Sequence, residues 1–151
     1  MTEQKRRIVP PFHLLLSLLA MGALHQWLPL WQWISRPWSW AGLLPVALGL
    51  MMTVTSALAF RRAQTPIVPF EKSTALVTGG FYRCTRNPMY LGMVLLLIGM
   101  AILFGSVSAL LPIPLFVWVV TRNFIRGEER FMEELFGAEY LAYKKKVRRW
   151  L

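Results

Sequence analysis

Residues 87–121 read NPMYLGMVLLLIGMAILFGSVSALLPIPLFVWVVT, a run with no Asp, Glu, Lys or Arg. Its length decides the fold. A bilayer core about 30 Å thick is crossed by roughly 20 helical residues. At 35 residues the run is long for one span and short for two. Charge resolves the choice. If the chain turns back near Gly105 and Ser106, then 16 of the 17 Lys and Arg residues share one side of the membrane and only Arg36 lies opposite. A single span would move the eight basic residues from Arg122 onward to the other side. The bias of basic residues toward the cytoplasm selects the hairpin.

Two more runs, residues 8–35 and 37–60, are equally free of these four residue types. Each reads as one span. The expected protein is therefore an all-α, polytopic integral membrane protein of one domain over residues 1–151. Its spans lie near residues 11–33, 41–60, 88–104 and 107–122, with both termini cytoplasmic. A charged cytoplasmic helix follows over residues 122–148, with Gly137 as an interruption. Its later part, amphipathic and ending in Lys144–Lys146 and Arg148–Arg149, suits anionic lipid. In a bacterium the membrane would be the inner one.

Composition agrees. Apolar residues make up 56% of the chain, against about 45–50% in soluble domains on a count that includes Gly. The net charge of +10 follows from the topology bias and from anionic lipid, so it does not call for a nucleic-acid partner. Lys5-Arg6-Arg7 before an apolar stretch resembles a signal peptide, but the stretch is too long and runs into Trp27, Trp31 and Trp33, which suit an interfacial belt. One cysteine, Cys84, excludes an internal disulfide framework. His13 and His25 fall near the two ends of span one with no metal-ligand company, so no metal site is expected.

Residues 61–88 form the longest less apolar segment between spans. Pro66, Pro69 and Gly79-Gly80 argue against a continuous helix there, and so long a loop in a small protein is usually functional. It leads into Arg86-Asn87-Pro88-Met89-Tyr90-Leu91-Gly92. Arg86 can grip a carboxylate through two donors, and the start of span three presents free N–H groups at a positive dipole end. Pro88 suits the first helical turn.

Counting 100° per residue from Arg122 puts Arg126, Glu129 and Glu133 on one polar face. Phe124, Phe131, Met132 and Leu135 fall opposite, with Glu128 among them. Glu129 then reads as a solvated partner of Arg126. Glu128 has two readings: a structural pair with Arg86, or a group that captures a cation on a ligand.

Residues 86–92 resemble the R-[HN]-P-x-Y-x-G signature of the membrane methyltransferase superfamily that includes isoprenylcysteine carboxyl methyltransferase and the phospholipid N-methyltransferases. Glu128-Glu129, Phe136-Gly137, Tyr140 and Tyr143 resemble its second motif, in the same order, across one apolar hairpin. The resemblance covers about residues 72–148. It implies an S-adenosylmethionine-dependent methyltransferase acting on a lipophilic or lipid-borne acceptor at the cytoplasmic membrane face. It also implies that Arg86, Asn87, Tyr90, Gly92, Glu128 and Glu129 would contact the cofactor. Asn87 stands where many members have His, and Gly80 where relatives often have Pro. A four-helix transporter and a non-catalytic scaffold are the rival readings. The first normally needs an ionisable residue within a span, and no Asp, Glu, Lys or Arg lies inside these short of Arg122.

Overall fold

The computed structural model describes residues 10–64 and 75–151. The basic N-terminal tail and the Pro66–Pro69 part of the central loop lie outside the described residues. Helix α1 (Pro10–Trp27) opens on two prolines, whose missing N–H groups cost nothing in a first turn. It ends well short of residue 33, the end expected from the apolar run. Pro29 disfavours helical geometry at Leu28, so the chain leaves the helix there.

A 3₁₀ turn over Trp38–Gly42 leads directly into α2 (Leu43–Arg62). Helix α3 (Pro88–Phe104) carries Pro88 in its first turn. It stops at Gly105, which adopts φ of +70°, a conformation that favours glycine. A Cβ at Gly105 would also sit 2.1 Å from the Ile34 carbonyl oxygen. The hairpin turn is therefore where the sequence places it.

The return arm adds a π turn to the expected helix. A 3₁₀ turn (Val107–Leu110) is followed by α4 (Pro112–Val120), a π-helical turn over Thr121–Ile125, and α5 (Arg126–Phe136). These form one helical stretch, Val107–Phe136. There is no break at residue 122. The break comes at Gly137, with φ of +50°, and α6 (Ala138–Lys146) follows. The interruption at Gly137 is the expected one; helix α6 stops at Lys146, short of residue 148, and a short tail follows.

Helix α3 is apolar all round, as a central helix must be. Leu97 and Ala101 are fully buried, in one core with Met21 of α1, Phe116 and Val120 of α4, and Phe124 and Ile125 of the π turn. Helix α2 approaches α3 backbone to backbone. A Cβ at Gly49 would meet the Gly92 carbonyl oxygen at 2.4 Å, and one at Gly42 would meet that of Gly99 at 2.4 Å. The two pairs are spaced seven residues apart on both helices, so the antiparallel seam runs two turns.

On the far side of the hairpin, Trp33 N–H donates to the Gly105 carbonyl and Val107 N–H to the Trp31 carbonyl, both at 2.9 Å. His25 is tied into the same turn. Its Nδ1 hydrogen-bonds Ser106 Oγ at 2.9 Å and its ring stacks on Phe104.

The outward surface is apolar. Leu15, Leu16 and Leu19 on α1, Leu44, Leu48, Met51 and Val54 on α2, and Leu115 and Trp118 on α4 are all exposed. Two helical stretches, Trp38–Arg62 and Val107–Phe136, are long and apolar enough to cross a membrane, while Pro88–Phe104 is apolar but shorter. Apolar side chains pointing outward from such helices fit a hydrocarbon solvent and not water.

The seam predicts a contrast between glycines. Gly49→Ala is expected to lower stability by about 1–3 kcal/mol through overpacking against α3. Gly22→Ala, with nothing within 4 Å of its added Cβ, should be neutral or stabilising by up to about 1 kcal/mol. Thermal unfolding of both variants in the same detergent would check this.

Candidate active site

The start of α3, the face of α5 and the last residues of the chain meet at one end of the bundle. Arg86 is the centre of that meeting. Its Nη1 donates to the Lys144 and Val147 carbonyls at 3.1 and 2.8 Å, and its Nη2 donates to Glu129 Oε1 at 2.8 Å. Its backbone N–H donates to the Arg148 carbonyl at 2.9 Å. Thr85 Oγ1 and Asn87 Nδ2 both donate to the Arg149 carbonyl, at 3.0 and 2.9 Å. Residues 85–87 thus hold the C-terminal tail in place.

Glu129 is the anion of this cluster. Arg149 donates to it from Nε at 2.9 Å and from Nη2 at 2.7 Å. One carboxylate therefore bridges two guanidiniums, and its side chain is only 7% exposed. The expectation of a solvated Glu129 paired with Arg126 is overturned. So is the pairing of Arg86 with Glu128. The reason lies outside the helix: Arg86 from the loop before α3 and Arg149 from the tail both reach Glu129 and cover its face of α5.

Glu128 faces the other way. Tyr90 Oη donates to Glu128 Oε1 at 2.7 Å. No other hydrogen bond reaches this carboxylate among the described residues. Burial pushes the Glu128 carboxyl above the usual range; the Tyr90 bond offsets part of that, and the neighbouring charge of Glu129 adds to it. For Glu129 burial also pushes upward, but the hydrogen bonds and charges of Arg149 and Arg86 outweigh it and hold the carboxyl low. Adjacent carboxyls are thus driven in opposite directions, a pattern of groups with separate tasks.

Gly92 faces α2, two residues and so more than half a helical circle past Tyr90. A Cβ there would lie 2.3 Å from Thr53 Oγ1 and 2.6 Å from the Gly49 carbonyl oxygen. The structure gives Gly92 a packing task, away from Glu128. Asn87 acts on the tail carbonyl, and its own N–H donates to Thr85 Oγ1 at 3.2 Å.

Gly80 adopts φ of +61° at the head of the 3₁₀ turn Gly80–Arg83, a value closed to proline. That turn presents the Tyr82 carbonyl, which accepts a 2.6 Å hydrogen bond from Tyr143 Oη. Burial pushes the Tyr143 phenol up to about 12, against the pull of Arg86, so it stays a donor.

An open cleft of about 490 Å³ lies beside this bond, lined by Leu76, Thr78, Arg83, Glu139, Ala142, Tyr143, Lys146 and Val147. None of the six residues nominated from the sequence lines it. Tyr143 and Val147 form a wall shared by the cleft and the Arg86 cluster.

Two features of the cluster bear on what it could hold. The Arg86 Nε–H is buried with no hydrogen-bond partner among the described residues, which is costly unless something else accepts from it. Glu128 is a half-buried carboxylate with one oxygen taken by Tyr90. A cation at Glu128 and an anion at Arg86 would satisfy both. Sequence reasoning missed Arg149. It sits 20 residues from Glu129 beyond two helix ends, and no periodicity links them.

Comparison with known proteins fits this arrangement. Residues 38–139 match the phospholipid methyltransferase family. The chain belongs to that family. Among curated relatives, protein-S-isoprenylcysteine O-methyltransferase A of Arabidopsis thaliana is 27% identical over 117 residues, 76% of this chain and 57% of the relative. The Saccharomyces cerevisiae protein-S-isoprenylcysteine O-methyltransferase is 36% identical over 77 residues, 51% of this chain and 32% of the relative. An uncharacterized Haemophilus influenzae protein is 41% identical over 63 residues, 42% of this chain and all of the relative. The chain thus spans little more than half of the plant family member and about a third of the yeast one. No solved structure matches it significantly.

The clamp sets an acid limit. Glu129→Ala would leave the buried Arg86 uncompensated and is expected to cost about 3–5 kcal/mol. Because the Glu129 carboxyl is held low, its contribution is complete above its ordinary value of 4.5 and is lost as pH falls through the lowered one. Unfolding of wild type and Glu129→Gln from pH 7 to pH 3 should therefore converge at the acid end.

Proposed function

We propose that this protein transfers a methyl group from S-adenosylmethionine to a lipophilic or lipid-borne acceptor at the cytoplasmic face of a membrane. The observation that carries the reading is the two-pole cluster: among the described residues, Glu128 has Tyr90 as its one hydrogen-bond partner and the buried Arg86 Nε–H has none. The amino-acid end of S-adenosylmethionine bears both an ammonium and a carboxylate. Glu128 suits the ammonium and Arg86 the carboxylate. Tyr90 orients Glu128, while Asn87 and Glu129 hold the tail and Arg86 in place. Gly92 fixes α3 against α2. The family's relatives are named as methyltransferases, which supports the same chemistry.

The bound cofactor would supply a methyl group already activated on a sulfonium centre. What the chain adds is position and exclusion of water. The tail over residues 85–87 and the Tyr143–Tyr82 bond close the cluster on the solvent side. The apolar surfaces of α1, α2 and α4 give an acceptor with a hydrocarbon chain a route from the bilayer.

In this reading α1, α2, α3 and α4 with its π turn are four spans, and α5, α6 and the tail are cytoplasmic. Two cation–aromatic contacts support the limits. Arg36 lies over the Trp40 ring at 5.5 Å at the start of α2, and Arg122 over Trp118 at 5.4 Å at the end of α4. Arg and Trp together favour the membrane–water interface.

Calorimetric titration of S-adenosylmethionine into protein held in nanodiscs tests the reading. Saturable binding is expected, weakened at least about tenfold, or about 1.4 kcal/mol, in Glu128→Ala. Tyr90→Phe should weaken it less. Absence of binding by folded wild-type protein would sink the proposal.

A further inference from the structure

Arg86 and Glu129 alone make a neutral pair. Such a pair has little to offer a ligand carboxylate, because the charge of Arg86 is already answered. Arg149 changes the count. Its two hydrogen bonds take both Glu129 oxygens, so that three side chains share a net charge of +1. Glu128, one residue away on α5, carries the opposite charge toward Tyr90. The four side chains sum to zero but divide into a cationic pole and an anionic pole. The buried, unpartnered Arg86 Nε–H belongs to the cationic pole.

Arg149 is also the peripheral member. Its side chain is 36% exposed, against 8% for Arg86 and 7% for Glu129. A second guanidinium there is not needed to neutralise Glu129, since the inner Arg86 already does so. Its electrostatic consequence is the surplus positive charge.

We propose that Arg149 is a specificity-determining, positioning residue. Acting through Glu129, it supplies the charge that lets the Arg86 pole accept a carboxylate, so the site takes a zwitterionic amino-acid end over an amine alone. The inference rests on the cofactor reading above. It assigns no contact between Arg149 and ligand. Removing Arg149 leaves a neutral Arg86–Glu129 pair beside the Glu128 anion, a site suited to a bare ammonium. The backbone carbonyl of residue 149, which anchors the tail to Thr85 and Asn87, is kept in any substitution.

The test compares two ligands on one protein by calorimetry: S-adenosylmethionine, and its decarboxylated analogue, which keeps the amine and lacks the carboxylate. Arg149→Ala is expected to lose about tenfold or more in affinity for the first, and to stay within about threefold for the second. Arg149→Lys, which keeps the charge but not the two-pronged geometry, should retain most of the affinity for the carboxylate-bearing ligand. Equal losses for both ligands in Arg149→Ala would make the residue merely structural and overturn the inference. So would unchanged affinity for both. If wild-type protein binds neither ligand, the cofactor reading itself fails, and the inference falls with it.

Discussion

One carboxylate with two guanidiniums holds this end of the molecule together. Glu129 lies on α5, Arg86 just before α3, and Arg149 two residues from the last position. No two of the three share an element, so the contact ties a helix, a loop and a tail. Burying the charges of Arg86 and Glu129 is expensive, and the cost is offset only when nearly every donor and acceptor is matched. Here the tail carbonyls of residues 144, 147 and 149 do that matching for Arg86, Thr85 and Asn87. The tail is therefore part of the charge cluster. An apolar triple of similar size could be as stable, but it could not present a charge to a ligand.

That cluster depends in turn on a distant contact made of nothing but backbone. The Gly42–Gly99 and Gly49–Gly92 seam sets α3 against α2 at a separation no side chain would allow. In lipid there is little hydrophobic drive between helices, so close packing of small residues carries the association. The seam ends two residues beyond Tyr90 on α3. It thereby fixes the position from which Tyr90 reaches Glu128 at 2.7 Å. The glycine of the signature motif serves the site by placing the helix that bears the tyrosine.

Much of this was legible in the sequence, for identifiable reasons. Charge bias placed the turn at Gly105, because a positive φ and a polar break are local features. Pro88 and Gly137 marked a helix start and a helix end on the same grounds. The motif residues were nominated by resemblance, and Arg86, Asn87, Tyr90, Glu128 and Glu129 do come together. Their division of labour was not legible. Glu129 is buried by arginines from a loop and from the tail, so no periodicity within α5 forecasts its surroundings. The tail contacts were hidden for a different reason. They run through the backbone carbonyls of residues 144 and 147–149, which every residue type carries, so side-chain identity says nothing about them.

The departure at position 87 then takes on a definite meaning. Asn stands where many relatives have His, yet the task performed here is donation of one N–H to the Arg149 carbonyl. An amide does this as well as an imidazole, and it does so at every pH. A titratable ring would add a charge beside two guanidiniums, where it would be disfavoured. The site's ionisable chemistry is then concentrated in the adjacent pair on α5. One member is buried against a tyrosine and pushed toward its neutral form; the other is held ionised by two arginines. Neighbours on an α-helix point about 100° apart, so a single glutamate pair reaches two environments at once.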